Sequence, residues 1–258
     1  MLGNMSTNLD MAYAAATNEA PEHWKLPGTI VWGLVIAAIF VVLQVITTLV
    51  LVLCRKDGLT EQQFQMLLES AESNGVVVSV STIGTALVCL PLIVGIVKLK
   101  HHSNVVDYLA LRAVPARSLA LWLCALAGFI VLSDGLTVFL GRPVVPEFMT
   151  AVYTSAHPVW LIWFALVVAA PAFEETFFRG FLFKGFASSF IGPIGAVAVP
   201  AGLWAVVHAQ YDLYGIGTIF CMGVLFGLAR ALSGSLLVPL AMHAASNVVS
   251  SIETAFLS

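Results

Sequence analysis

Seven stretches of this sequence are each long and apolar enough to cross a lipid bilayer, which takes about 20 mostly apolar residues. They fall near residues 29–53, 76–97, 118–140, 158–187, 191–210, 214–232 and 236–256. Hydrocarbon offers the backbone no hydrogen-bond partner, so spans of this length are helices. The expected fold is all-α, a polytopic transmembrane helical bundle. Composition agrees: 60% of the 258 residues are hydrophobic and 10% charged, with a mean hydropathy of +0.98. Soluble domains carry about 25% charged residues. A net charge of −3 with no basic patch argues against nucleic acid as a partner. Cys54, Cys89, Cys124 and Cys221 fall singly, without a CxxC pair, and read as packing residues rather than a disulfide frame or zinc site.

Three regions follow. Residues 1–28 hold Asp10, Glu19, Glu22 and Lys25 without a basic start and apolar core, so they read as a polar tail and not as a signal peptide. Residues 29–157 supply three membrane helices and their connections. Residues 158–258 supply four more. Asp57, Glu61, Glu69 and Glu72 mark the first connection as polar, with a short surface helix. In the second, Val105, Val106, Leu109 and Ala113 recur at helical spacing, which fits an interfacial turn of helix or a solvated loop equally well. Lys25, Lys98, Lys100, Arg112, Arg117, Arg179, Lys184 and Arg230 lie towards the N-terminal side of the membrane. Arg55, Lys56 and Arg142 lie on the other. Basic residues gather in the cytoplasm, so the N-terminus is expected there.

The fourth span contains Glu174-Glu175-Thr176-Phe177-Phe178-Arg179, although no residue from Pro158 to Phe173 is charged. A carboxylate at the centre of a membrane helix costs about 2.5–3.5 kcal/mol on insertion scales, so residues kept there serve a purpose. Glu175 and Arg179 stand four apart, share a face and can neutralise each other. Glu174 is turned about 100° away, which leaves it as the unpaired carboxylate available for acid–base work.

His208 ends the apolar run Leu203-Trp204-Ala205-Val206-Val207, with Gln210, Tyr211 and Asp212 following in a loop. His243 and Asn247 sit four apart on one helical face. Any one of them reads as a helix–helix hydrogen-bonding residue. Together with Glu174 they make a general base, two imidazoles and an amide donor. Gly192-Pro193-Ile194-Gly195 reads as the turn between the fourth and fifth helices. The depths of Glu174 and His208 then differ by roughly 8 Å, whereas His243 enters only about 12 Å from the opposite side. Straight ideal spans leave that gap open, so a longer fifth helix or a broken or tilted helix is needed.

Glu-Glu-x-x-x-Arg (174–179), aromatic-x-x-x-His (204–208) and His-x-x-x-Asn (243–247), in this order on late membrane helices, resemble the CPBP family. These are CAAX-processing and bacteriocin-related intramembrane proteases, also called Abi or Rce1-like. The resemblance covers roughly residues 158–257, and Trp204 stands where Phe is common. It implies a membrane-embedded peptide hydrolase in which Glu174 and His208 activate water. His243 and Asn247 would stabilise the oxyanion, and Glu175 and Arg179 would support the site. The implied partner is a peptide or membrane-protein substrate, lipidated in CAAX-type processing, met within the bilayer. The compact chain resembles prokaryotic members, which implies a multi-pass protein of a prokaryotic cell membrane.

Two rivals stand beside this reading. Glu174, His208 and His243 make a His₂Glu set of the kind that holds catalytic zinc, although no HExxH spacing is present and no cofactor is favoured. A transporter, or an immunity or scaffold protein retaining the fold, is the other. No inverted repeat supports a transporter, and a scaffold has no use for all four of Glu174, His208, His243 and Asn247.

Overall fold

The computed structural model describes residues 23–56 and 58–257. Most of the expected polar tail, residues 1–22, lies outside the described residues. Among the latter there are ten helices and no strand. In chain order they are α1 (Leu26–Leu53), α2 (Glu61–Ser70), α3 (Gly75–Lys98), α4 (Val105–Leu109), α5 (Ala116–Phe139), α6 (Glu147–Ser155), α7 (Val159–Ala187), α8 (Gly192–Val206), α9 (Leu213–Ser233) and α10 (Leu237–Leu257). The protein is an integral membrane helical bundle.

Local chemistry sets the boundaries. Thr60 and Gln63 close a reciprocal capping box at the start of α2, the expected surface helix. Asn74 caps α3, Asn104 caps α4 and Asp212 caps α9, each accepting from backbone N–H groups of the first turn. Gly234, at φ +67°, ends α9 in a left-handed turn that glycine adopts without a Cβ clash. The second connection forms one short helix, α4, which decides between the two readings left open there.

The expected count of seven spans is not confirmed. Among the described residues five helices are long and apolar enough to cross a membrane: α1, α3, α5, α7 and α9. The expected fifth span is the shorter apolar α8, and the expected seventh is the more amphipathic α10, whose buried face carries His243, Ser246, Ser251 and Thr254. The turn between α7 and α8 lies at residues 188–191. Gly192-Pro193-Ile194-Gly195 is instead the first turn of α8, with proline in its first two positions, where its missing N–H has no helical partner to lose.

Close helix approach depends on small residues, as membrane packing requires where lipid is as apolar as leucine. Gly223 and Gly227, four apart on α9, lie against α8. A Cβ on Gly223 would stand 3.1 Å from the Ala201 Cβ, and one on Gly227 would stand 2.9 Å from Val197 Cγ1. Gly185 likewise admits Thr29 of α1 against α7. The main apolar core runs from Ile36 of α1 and Ile93 of α3 through Phe173, Phe177, Phe178 and Phe181 of α7 to Trp204, Phe226 and Met242.

Candidate active site

The site is built on α7, which is not a uniform α-helix. Residues Ala165–Ala169 and Thr176–Leu182 are wound as π-helix on either side of the α-helical Ala170–Glu175. Such insertions change which side chains share a face and recur at functional sites. Pro171 fixes the consequence. Ala170 donates to the Ala165 carbonyl, five residues back, and the next donor in that register would be residue 171. Proline has no N–H, so the Leu166 carbonyl is left without its helical partner. Asn247 Nδ2 of α10 fills the vacancy, at 2.6 Å.

Glu175 and Arg179 pair as their spacing requires, with Nη1 3.0 Å from Oε1, and both are buried. Arg179 also donates through Nη2 to the Gly223 carbonyl at 2.9 Å, a contact that the bare glycine permits. Its guanidinium lies 4.8 Å from the centre of the Trp204 ring, a cation–π contact. Arg230 Nε donates to the Arg179 carbonyl at 3.0 Å. The cation is thus held on several sides inside the bundle.

His243 Nδ1 meets Glu175 Oε1 at 2.9 Å. A carboxylate accepts, so Nδ1 carries the proton. The other ring nitrogen, Nε2, then faces Glu174 Oε2 at 4.0 Å. The depth mismatch expected for His243 is closed without a longer α8. That helix stops at Val206, and His208 lies in the turn beyond it, bound back to the helix end by Nδ1 donating to the Trp204 carbonyl at 2.7 Å. That bond leaves the Nε2 of a neutral His208 as its free lone pair.

Glu174 departs from expectation. It is not unpaired, because Trp204 Nε1 donates to its Oε2 at 2.5 Å. Trp204 packs edge-on to His208 and to His243, with ring centres 5.1 and 5.3 Å away. An aromatic at position 204 belongs to the motif that the sequence carries. The indole N–H bond to a carboxylate 30 residues earlier is not expected from it, because no spacing in the sequence points to it. Glu174 is 21% exposed and Glu175 fully buried, so of the two only Glu174 can meet a ligand.

Glu174 lines a cavity of about 170 Å³, whose walls also include His208, Gln44, Thr82 and Gln210. Gln44 of α1 and Thr82 of α3 line this cavity, and sequence reasoning singled out neither. The available signal was a lone amide in the most hydropathic span of the chain. His243, with Nε2 4.0 Å from Glu174 Oε2, and Asn247, bonded to the Leu166 carbonyl, are not among the residues that line this cavity. Beside His208, Tyr211 stacks with ring centres 6.4 Å apart, and burial pushes its phenol up to about 12, so it stays protonated at neutral pH. Among the described residues no group of three His, Cys, Asp or Glu side chains is disposed to hold a metal ion.

Comparison with known proteins agrees with the motifs. No solved structure matches the chain significantly. A curated relative, an uncharacterized 24.3 kDa protein of Escherichia coli, is 33% identical over 109 residues, or 40% of this chain and 49% of the relative. The chain thus spans about half the length of the curated relative it matches. A family model described as Type II CAAX prenyl endopeptidase Rce1-like matches residues 156–249, the segment that carries Glu174, His208, His243 and Asn247. The match covers residues 156–249, and it is this segment of the chain that is similar to the Rce1-like CAAX prenyl endopeptidases.

Proposed function

We propose that the protein is an intramembrane endopeptidase that hydrolyses a peptide bond with water activated by Glu174 and His208. The observation carrying this reading is that Glu174 and His208, 34 positions apart, line one small cavity within the membrane bundle. Glu174 accepts a proton from a water held there as the water oxygen bonds to the carbonyl carbon, and returns that proton to the amine nitrogen as the C–N bond breaks, while His208, with Nε2 free, accepts a hydrogen bond from the same water and orients it. The resulting tetrahedral oxyanion needs donors. Those proposed are His243, protonated on Nε2 with the Glu175 carboxylate balancing the imidazolium, and the Asn247 hydrogen not committed to Leu166; since neither lines the cavity, the scissile carbonyl has to reach past Glu174 to meet them. Donors of this kind supply about 2.7–4 kcal/mol each in a water-poor site. No covalent acyl-enzyme is involved, and the Glu175–Arg179 pair supports the geometry.

The test is hydrolysis of an internally quenched peptide by the detergent-purified protein and by Glu174→Gln. The reading expects cleavage by the native chain and its loss in Glu174→Gln, with the variant still folded. Equal cleavage by both would remove Glu174 from the chemistry. Because the proposed mechanism activates water with Glu174 and His208 alone, cleavage should also survive dialysis against a chelator. Loss on chelation with recovery on adding zinc would overturn this mechanism.

A further inference from the structure

His208 is the one catalytic candidate that lies outside a helix, in the turn at residues 207–212 between α8 and α9. One end of that turn is tied to α8. His208 N donates to the Ala205 carbonyl at 3.1 Å, and its Nδ1 donates to the Trp204 carbonyl at 2.7 Å. Tyr211 N closes the turn on the His208 carbonyl, also at 3.1 Å. Local bonds of this kind leave a surface turn at the low-stability end of a fold. The other end, Asp212, is held from a distant part of the chain.

Arg142 is placed for this by the way α5 ends. Gly141 sits at φ +68°, its N–H donates to the Val138 carbonyl at 2.9 Å, and Arg142 N donates to the Thr137 carbonyl at 3.0 Å. That is a Schellman motif, whose left-handed position glycine takes without a Cβ clash, and it brings Arg142 to the start of α9. There Arg142 Nη2 donates to Asp212 Oδ2, while Asp212 Oδ1 accepts from Gly215 N at 2.9 Å and caps α9. The guanidinium also lies 4.8 Å from the centre of the Tyr214 ring. Thr137 donates to the Ser133 carbonyl, so its oxygen accepts from the Tyr214 hydroxyl at 2.8 Å. A second contact comes from α6, where Phe148 meets Tyr211 edge-on with ring centres 5.8 Å apart, and Tyr211 in turn stacks on His208. Residues 137–148 thereby hold the His208 turn from outside residues 156–249, the segment matched by the family model.

We propose that Arg142 is a positioning residue for His208, acting through its ion pair with Asp212. The pair fixes where the turn ends, and the turn fixes where His208 Nε2 stands relative to the water it orients. The role in catalysis rests on the proteolytic reading, whereas the clamp on the turn stands on packing alone. The two side chains are 40% and 56% exposed, and pairs at such exposure contribute little to global stability. A catalytic group misplaced by about 1 Å can cost about 10²-fold in rate. Loss of the pair therefore shows in the rate and not in the unfolding midpoint.

The test follows hydrolysis of the internally quenched peptide by the full chain in detergent, and by Arg142→Gln and Asp212→Asn. Asparagine still caps α9, so Asp212→Asn removes the ion pair alone. Each variant should lower kcat about tenfold, with KM within about twofold and the unfolding midpoint unchanged. The double variant should lose no more than either single, because the two residues share one interaction. Arg142→Lys, which keeps the charge, should recover most of the native kcat. In a His208→Ala background Arg142→Gln should leave the residual rate unchanged, since Arg142 acts only through His208. A native kcat in Arg142→Gln, or the same fractional loss with and without His208, overturns the proposal. Hydrogen exchange of the 207–212 amides gives a readout besides activity. Arg142→Gln should raise it at least about tenfold and leave α7 and α10 protected. Unchanged exchange overturns the clamp. If exchange rises but the native chain cleaves nothing, the clamp stands and the proteolytic reading falls.

Discussion

At the scale of single residues, adjacent glutamates in one motif have been driven to opposite fates. Glu175 is sealed in and shared between Arg179 and His243, while Glu174 reaches the cavity and takes its orientation from the Trp204 indole. Glu175→Gln is expected to lower the yield of folded protein, because it leaves the Arg179 charge buried without its counter-ion, a loss worth about 3–5 kcal/mol. Recovery of monodisperse protein after detergent extraction measures this, and a yield equal to the native chain would contradict it. Trp204→Phe keeps an aromatic between the two imidazoles but deletes the N–H on Glu174. A hydrogen bond to a charged group contributes about 1.5–3 kcal/mol, so thermal stability should fall on that scale, and kcat should fall at least about tenfold with KM little changed. An unaltered kcat would show that Glu174 is positioned without the indole.

At the scale of elements, α7 and the α8–α9 pair position the site by different means. In α7 a π-helical turn and Pro171 together orphan one carbonyl, and α10 is fastened there by Asn247. Asn247→Ala is therefore expected to do two things: lower kcat by about 10²–10³ if it donates to the oxyanion, and lower thermal stability by freeing Leu166. Asn247→Asp, which cannot donate to Leu166 when ionised, should be at least as damaging. Kinetics and thermal unfolding of the same preparations separate the two effects. A fall in stability with kcat intact would assign Asn247 to the helix junction alone. In the α8–α9 pair, Gly227→Leu should destabilise the bundle by about 1–3 kcal/mol through overpacking against Val197. Gly217→Ala, on the same helix but facing open space, should leave the unfolding midpoint unchanged.

At the scale of the whole molecule, the cavity is shared between segments far apart in the chain. Glu174 and His208 come from the family-matched residues 156–249, whereas Phe40, Gln44 and Thr82 come from α1 and α3 outside that match. Gln44 and Thr82 have no hydrogen-bond partner among the described residues and face the space a substrate would fill. Gln44→Leu is expected to raise KM by up to about tenfold, the loss of one hydrogen bond of about 1 kcal/mol, while kcat stays within about twofold. A fall in kcat at constant KM would instead tie Gln44 to the chemical step.

The sequence by itself determined what depends on spacing along one helix. The apolar runs dictated a helical membrane bundle, because hydrocarbon leaves the backbone no other way to satisfy its polar groups. The four-residue step from Glu175 to Arg179 dictated their ion pair, because positions four apart on a helix are neighbours. What tertiary structure decided is whatever depends on where helices stop and which atoms of different helices meet. The end of α8 at Val206, the π-helical winding of α7 and the glycine-permitted approach of α9 bring His208 and His243 to Glu174 where ideal straight spans would not. The Trp204–Glu174 bond, the seating of Asn247 on Leu166 and the reach of Gln44 into the cavity all join residues at least 30 positions apart. Helical periodicity relates a residue only to its own turn and the next, so no pattern within a span encodes these contacts.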